Sequence, residues 1–430
     1  MKKKLNFSII FVLILLLLSP KTSAADPSIL NIESPSVILI HNDTGKVLYS
    51  KETNKKMYPA STAKIMTALL VLESDVALSD VATVSYDAVV NVPVGYSHAN
   101  LQVGEQLTIE DLLNVILIPS ANDAANVLAE HVSGSVENFV ELMNAKAIEL
   151  GCTDTNFVNP NGIHSDEQIT TTHDLSLIAQ YAMKNETFRS FVSKTSCSLP
   201  ITNKYDKEDR VFTTTNDLIK VNNSNKPDNY YYKYANGIKT GYTSQARNCI
   251  VASAQRDGLE FIVVILGAVQ NEQGISQRYS DCKNLFEFAF ENYTTKKIKE
   301  KDSILKEVEI KNATKDTRSL SLVLTSEINV LIDKQDLNKN ILPEIILNEN
   351  LEAPITKGET VGSIKYIVEN VEYTSELIAG NAVKKESVFA LIFKIFLVFL
   401  ALYIIYSVLL KPTKRKKRKS TINRKQNYGI

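Results

Sequence analysis

A long apolar segment near the C-terminus limits the folds open to this chain more than any other feature. Residues 388–410 form an apolar run of 23 residues in which Lys394 is the one charged side chain. As a helix, the run is about 35 Å long, enough to cross a hydrocarbon core of about 30 Å. Lys394 lies near one end, so its ammonium can reach the interface. The run predicts a transmembrane helix, with a buried core helix as the alternative.

Both chain ends carry an excess of positive charge that fits an exported, membrane-anchored protein. The tail 411–430 is rich in Lys and Arg, and such clusters stay on the cytoplasmic side of a membrane. At the other end, residues 1–24 contain four Lys, an apolar stretch and then small residues. This layout predicts a cleaved secretory signal peptide, with an uncleaved anchor as the alternative. We therefore expect a single-pass protein of the cell membrane whose body is extracytoplasmic.

The remaining body is acidic and offers no sign of a metal or redox centre. Residues 25–387 hold 48 acidic and 34 basic side chains, which argues against nucleic-acid binding. The five His form no His-Glu-x-x-His motif, so neither a metal nor another cofactor is predicted. The four Cys lie far apart in the sequence, which favours buried free thiols over one or two disulfides.

The body divides into two parts with different sequence patterns. Residues 30–293 alternate strand-like and helical patterns, with hairpins predicted at 37–49 and 248–266. Strands near both sequence ends with helices between them predict an α+β domain whose sheet gathers distant segments. Residues 296–378 instead show short alternating apolar stretches broken by Asn, Asp and Gly, which predicts a small all-β domain.

A serine and a lysine at the start of a predicted buried helix form the first candidate catalytic pair. Ser61 and Lys64 precede the apolar run 65–72, and residues three apart share one helix face. Burial lowers the pKa of a lysine, which lets it accept a hydroxyl proton and activate the serine as a nucleophile. The Ser-x-x-Lys pattern also starts at Ser280 and Ser303, so it identifies no site alone.

Two motifs downstream single out the first of these pairs. Residues 120–122, Ser-Ala-Asn, follow Pro119, which ends a helix whose start is marked by a capping-box pair, Thr108 and Asp111. Residues 239–241, Lys-Thr-Gly, open a predicted strand and supply a cation, a hydroxyl and a glycine that permits close backbone approach. The triplet occurs once, and neither of the other two Ser-x-x-Lys patterns has one after it.

Taken together, the three motifs resemble the signature of penicillin-binding proteins and serine β-lactamases. The surrounding sequence resembles the low-molecular-weight D-alanyl-D-alanine carboxypeptidases most. The resemblance implies a β-lactamase/transpeptidase-like domain, an antiparallel sheet with a helical cluster, followed by the all-β domain and the membrane helix. The stretches that carry it are residues 43–49, 58–67, 119–125, 156–162 and 237–243.

The resemblance also implies roles in catalysis. Ser61 attacks the carbonyl of the penultimate D-alanine of a peptidoglycan stem peptide, and Lys64 takes its proton. Ser120 takes part in proton transfer. The backbone N–H groups of Ser61 and Tyr242 form an oxyanion hole. Water then hydrolyses the acyl-enzyme, and β-lactam antibiotics acylate the same serine as inhibitors.

Further residues are expected to bind the substrate. By the resemblance, Asn122 holds the substrate amide, Lys239 supplies positive potential and Thr240 binds the terminal carboxylate, while Gly241 permits close approach. Arg278 is a second candidate for the carboxylate, with a surface salt bridge as the alternative. Three other functions remain open for the chain: a membrane-bound β-lactamase, a D,D-endopeptidase, and a catalytically silent cell-wall scaffold.

Overall fold

The computed structural model of the protein describes residues 30–221, 230–270 and 276–409. The predicted signal peptide 1–24 and the basic tail 411–430 lie outside the described residues. Among the described residues, those up to 296 together with 330–340 form one compact unit. Residues 297–329 together with those from 341 onward form a second unit.

A five-stranded antiparallel sheet organises the first unit. The strands described in the unit are β1 (Ser36–His41), β2 (Val47–Lys51), β3 (Val81–Thr83), β4 (Gln106–Thr108), β5 (Ser196–Ser198), β6 (Val211–Thr213), β7 (Ala235–Thr243), β8 (Arg247–Arg256) and β9 (Leu259–Ala268). The order in the sheet is β2-β1-β9-β8-β7. Both predicted hairpins are present, as β1–β2 and β8–β9, and β1 of the first pairs with β9 of the second. The sheet thus joins segments from both ends of the unit, as predicted.

Helices cover both faces of this sheet. The helices are α1 (Lys64–Glu73), α2 (Tyr86–Val90), α3 (Ile109–Leu117), α4 (Asn122–Ser133), α5 (Val136–Glu149), α6 (Thr172–Ala182), α7 (Glu186–Val192) and α8 (Gln277–Asn292). Alternate residues of β9 enter two separate cores, because side chains along a strand point to opposite faces. Ile262 and Val264 join the core built mainly by the helices between the hairpins, and Val263 and Ile265 join the core built with α8.

Helix α1 lies inside the helical core, and its sequence explains why. Ile65, Met66, Ala68 and Leu69 are almost completely buried, and they occupy successive faces of the helix rather than one stripe. A helix that is apolar all round is stable only inside a domain. The predicted buried helix is therefore confirmed, and its first residue is Lys64.

The second unit is built around another antiparallel sheet. The remaining strands among the described residues are β10 (Tyr293–Lys299), β11 (Ile304–Glu309), β12 (Ser319–Leu324), β13 (Ile328–Asp333), β14 (Glu344–Leu347), β15 (Thr360–Val368) and β16 (Val371–Ala379). The order in the sheet is β11-β12-β16-β15-β14. Leu320, Leu322 and Leu324 alternate along β12 as buried residues, the pattern of a strand with one face in a core.

The predicted membrane segment is a single helix, α9 (Val388–Leu409). Within it, residues Ile392–Leu409 have a mean hydropathy of 2.5 and form a candidate membrane span. Its large apolar side chains are exposed, including Phe396, Phe399 and Leu409. Exposed apolar surface of this extent suits lipid rather than water.

Candidate active site

The candidate nucleophile lies in a tight turn directly before the buried helix. Residues Ala60–Ala63 form a 3-10 helix that runs into α1 at Lys64. Ala60 has a φ of +48°, so the chain bends sharply next to Ser61. The Oγ of Ser61 lies 3.1 Å from the Nζ of Lys64. The predicted serine–lysine pair is therefore within hydrogen-bonding distance.

The Nζ of Lys64 has two further partners, and both are oxygen acceptors. It donates to the Oδ1 of Asn122 at 2.6 Å and to the backbone oxygen of Asn161 at 2.5 Å. The orientation of the Asn122 amide is fixed independently, because its Nδ2 donates to the backbone oxygen of Ser97 at 2.9 Å. A neutral amine has two N–H groups and one lone pair. In the neutral form both N–H groups are used by these two acceptors, which leaves the lone pair for Ser61.

The electrostatic surroundings favour this neutral form. Lys64 is completely buried, and desolvation lowers its pKa well below the ordinary value. The positive charge of Lys239 lowers the pKa of Lys64 further, whereas the carboxylate of Asp123 acts in the opposite direction. The Oδ1 of Asp123 accepts a hydrogen bond from the backbone N–H of Ala99 at 2.9 Å, and its Oδ2 accepts one from the backbone N–H of Leu101 at 3.1 Å.

The second serine of the site is held at the junction of two helices. Ser120 lies between α3, which begins with the predicted capping box, and α4, which begins at Asn122. It has a φ of +72°, and it is 4% exposed. Its Oγ has no hydrogen-bond partner among the described residues. An unpaired buried hydroxyl beside a cleft is available to a substrate.

The Lys-Thr-Gly triplet lies in the middle of β7, not at its start as predicted. The strand begins at Ala235 because its pairing with β8 extends from Ala235 opposite Ala254 to Thr243 opposite Arg247. Lys239 is buried, and its Nζ donates to the backbone oxygen of Thr240 at 2.9 Å. Desolvation, with a smaller effect of Arg278, lowers the pKa of Lys239 to about 7.

Arg278 lies in the first turn of α8, close to the same strand. Its Nη1 donates to the backbone oxygen of Gly241 at 3.3 Å and to that of Cys249 at 3.4 Å. Its Nη2 donates to the hydroxyl of Tyr279 at 2.9 Å. These partners are neutral oxygens, so the hydrogen bonds leave the charge of the guanidinium uncompensated. Of the two readings of the sequence, the arrangement favours anion recognition over a surface salt bridge.

A polar cleft of about 460 Å³ joins these groups. Lys64 and Lys239 do not line it, but both are buried beside residues that do, Ser61 and Thr240. The predicted residues that line the cleft are Ser61, Ser120, Asn122, Thr240, Gly241, Tyr242 and Arg278.

Two glycines allow the neighbouring backbones to approach the nucleophile turn. A Cβ on Gly162 would lie 2.0 Å from the backbone oxygen of Ala60 and 2.8 Å from the backbone nitrogen of Ser61. A Cβ on Gly241 would lie 2.9 Å from the same nitrogen. Gly241 thus allows close packing against the turn that carries Ser61. It also lines the cleft, so close approach of a substrate to Gly241 stays a prediction.

Asn161 belongs to the site although no motif in the sequence predicts a role for it; it lies in the stretch 156–162. Asn161 is 3% exposed, and its Nδ2 donates to the Oδ1 of Asn126 at 2.8 Å. Its backbone oxygen then accepts from Lys64. The one available signal was the Asn-Gly pair at 161–162, which predicts a tight turn but no chemistry.

The four cysteines take no part in the site as reactive groups. All are free thiols, as the sequence favoured; Cys152, Cys249 and Cys282 are buried and Cys197 is partly exposed. Burial raises the pKa of the thiol of Cys249 to about 11, so this residue beside β7 stays protonated.

Comparisons with known proteins found matches for two parts of the chain. Residues 21–270 match the D-alanyl-D-alanine carboxypeptidase family, and residues 293–385 match the penicillin-binding protein 5 C-terminal domain. The D-alanyl-D-alanine carboxypeptidase DacF of Bacillus subtilis is 32% identical over 77% of this chain and 81% of its own. DacC of Escherichia coli is 30% identical over 82% of this chain and 85% of its own.

Solved structures show the same similarity. Penicillin-binding protein 5 from Haemophilus influenzae has a TM-score of 0.64 and 25% identity, and the match covers 83% of this chain and 99% of that one. The Streptomyces K15 DD-transpeptidase has a TM-score of 0.55 and 30% identity, with 61% of this chain and 98% of that one covered.

Proposed function

Because the chain belongs to the D-alanyl-D-alanine carboxypeptidase family, we propose that it removes the terminal D-alanine from peptidoglycan stem peptides through an acyl-enzyme on Ser61. One observation carries the proposal. The Oγ of Ser61 lies 3.1 Å from the Nζ of Lys64, whose other two hydrogen bonds go to acceptors. A neutral Lys64 can therefore receive a proton from Ser61 and from no other partner.

Acylation begins with attack of the Ser61 Oγ on the carbonyl carbon of the penultimate D-alanine. The hydroxyl proton passes to Lys64, and the carbonyl oxygen becomes an oxyanion. The backbone N–H groups of Ser61 and Tyr242 donate to this oxyanion, the step that lowers the barrier most in acyl transfer. The intermediate collapses by breaking the C–N bond, and the departing amine needs a proton. Ser120 supplies it, since its Oγ has no other partner among the described residues. The proton that Lys64 took from Ser61 then passes to Ser120, so both groups are neutral again in the acyl-enzyme.

Deacylation regenerates the enzyme by the reverse proton movements. A water molecule attacks the ester carbonyl and gives a proton to the neutral Lys64. The C–Oγ bond breaks, Ser61 regains its proton from Lys64, and the shortened peptide leaves as a carboxylate. A β-lactam enters the same path through its ring amide, so penicillin acylates Ser61.

The charged residues around the cleft and the position of β7 at the edge of its sheet explain how the substrate binds. The terminal carboxylate lies between the hydroxyl of Thr240 and the guanidinium of Arg278, and Lys239 contributes positive potential from behind. Asn122 faces the substrate amide. Strand β7 is the last strand of its sheet, so a peptide can lie along its free edge.

The ends of the chain give the proposed location. Residues 1–24 are a signal peptide, and the peptidase domain spans 30–293 with the all-β domain at 296–378. The helix at 388–410 crosses the membrane once. The tail 411–430 stays in the cytoplasm, where its charge faces anionic headgroups. The catalytic domain is thus outside the membrane, on the side of the cell wall.

The test uses the full-length protein in detergent with a pentapeptide ending in two D-alanines. We expect release of free D-alanine by the wild type and none by Ser61→Ala. Ser303→Ala is the matched control, because Ser303 also begins a Ser-x-x-Lys pattern but donates to the backbone oxygen of Glu300. No release by the wild type, or undiminished release by Ser61→Ala, contradicts the proposal.

Fluorescent penicillin distinguishes two of the other functions that the sequence left open, the scaffold and the β-lactamase. A scaffold remains unlabelled, whereas a carboxypeptidase retains the label on Ser61 for longer than a β-lactamase. Rapid turnover of penicillin with no release of D-alanine would assign the chain to the β-lactamases instead.

A further inference from the structure

Thr215 lies in the cleft, although nothing in the motif pattern assigns it a role. It follows β6 by two residues and lines the cleft together with Ser120, Thr240 and Arg278. Its side chain is exposed, whereas that of Thr240 is 4% exposed. Thr215 therefore presents a hydroxyl closer to the solvent than Thr240 does.

The two threonines form a hydroxyl pair. Their Oγ1 atoms lie 2.6 Å apart. That distance is at the short end of the normal range for an O–H···O hydrogen bond. Each hydroxyl has one proton, and the hydrogen bond between the two threonines uses one of these two protons. The second proton remains free for an acceptor in the cleft, and an anion is the strongest acceptor available to it.

The backbone of Thr215 is fixed on both sides. Its N–H donates to the backbone oxygen of Ile118 at 3.2 Å, two residues before Ser120. Its carbonyl oxygen accepts from the hydroxyl of Tyr279 at 3.2 Å. A hydroxyl on a fixed backbone is preorganised, so binding a ligand there costs little conformational entropy.

The tyrosine connects Thr215 to the cation of the cleft. Tyr279 is 1% exposed, and its hydroxyl receives a hydrogen bond from the Nη2 of Arg278 while donating to Thr215. Burial raises the pKa of Tyr279, so its hydroxyl stays protonated and keeps the donor role. The network thus holds a guanidinium and a hydroxyl pair at fixed positions on one cleft.

We propose that Thr215 is a specificity-determining residue that shares the substrate's terminal carboxylate with Thr240 and Arg278. The inference rests on the proposed function, which supplies the carboxylate ligand. Thr215 selects peptides that end in a free carboxylate over peptides whose C-terminus is blocked. It does not touch the scissile bond.

The experiment measures kcat and KM of the full-length protein on two pentapeptides. One ends in D-alanyl-D-alanine and the other in D-alanyl-D-alaninamide, so that the second lacks the terminal charge. We expect Thr215→Val to lower kcat/KM about tenfold for the acid peptide, mainly through KM. The amide peptide should change less than twofold. Thr215→Ser retains the hydroxyl and should restore the wild-type preference.

Controls separate a binding role from a structural one. Thr213→Val alters an exposed threonine of the same segment that does not line the cleft, and should leave both peptides unaffected. Thr215→Ala replaces the valine variant if thermal unfolding shows that valine is not tolerated. If either variant leaves the ratio of kcat/KM between the acid and the amide peptide unchanged, for example by an equal loss on both, the inference about Thr215 is wrong. The proposed function is unaffected by that result. No D-alanine release by the wild type overturns the proposed function as well.

Discussion

Gly162 gives the sharpest test of how the nucleophile is held in place. In Gly162→Ala, the new Cβ would lie 2.0 Å from the backbone oxygen of Ala60 and 2.8 Å from the backbone nitrogen of Ser61. Both distances lie far inside van der Waals contact, so the nucleophile turn must move by about 1 Å. A displacement of that size costs about 100-fold in rate. We expect acylation of Ser61 by fluorescent penicillin to slow by at least that factor.

A matched variant separates this displacement from backbone strain. Gly134 has a φ of +83°, almost equal to the +82° of Gly162, but a Cβ there meets nothing within 4 Å. Gly134→Ala should therefore lose about 1 kcal/mol of stability in thermal unfolding and acylate at the wild-type rate. Gly241→Ala should lie between the two, since its closest contact is 2.9 Å. If Gly162→Ala is folded and acylates normally, the argument that this glycine sets the position of Ser61 is wrong.

Three further predictions concern charge. The rate of penicillin acylation rises with pH as Lys64 loses its proton. Lys239→Gln removes a cation that lowers the pKa of Lys64, so the rising limb of the pH–rate profile moves to higher pH. Asp123→Asn removes the opposing carboxylate and moves the same limb to lower pH. For each variant, a shift in the opposite direction contradicts the role given to that residue. Glu260→Ala removes the buried carboxylate bound by Arg189 and should cost about 3 kcal/mol in chemical denaturation. Glu186→Ala, exposed and 4.0 Å from the same arginine, should cost less than about 0.5 kcal/mol.

Local features of the fold were predictable because their causes lie within a few residues. The capping box of Thr108 and Asp111 starts α3, and the turn at 257–258 joins β8 to β9, as the sequence indicated. The register between β1 and β9 was not predictable. Ile38 opposes Val264, and no pattern in either strand specifies that partner among the other apolar strands.

The missed site residues share a physical reason. Asn161 holds Lys64 through a backbone carbonyl, a group that every residue has, so its identity gives no signal. Thr215 is the last of three consecutive threonines, and the sequence does not distinguish it from the other two. The fold is what places its Oγ1 2.6 Å from the Oγ1 of Thr240. Side chains that form motifs can be found from spacing, whereas contacts made by the backbone or by a lone hydroxyl depend on the tertiary structure.

The position of β7 explains why a sheet with an open edge is useful here. An unpaired edge strand exposes N–H and C=O groups that invite pairing with another chain, a general hazard for β-sheets. Gly241 lets the strand pack against the nucleophile turn, and the neighbouring residues Thr240 and Tyr242 line the cleft. Under the proposed function, the peptide substrate occupies the free edge of β7. Gly241 therefore brings Ser61 next to the backbone along which the peptide lies.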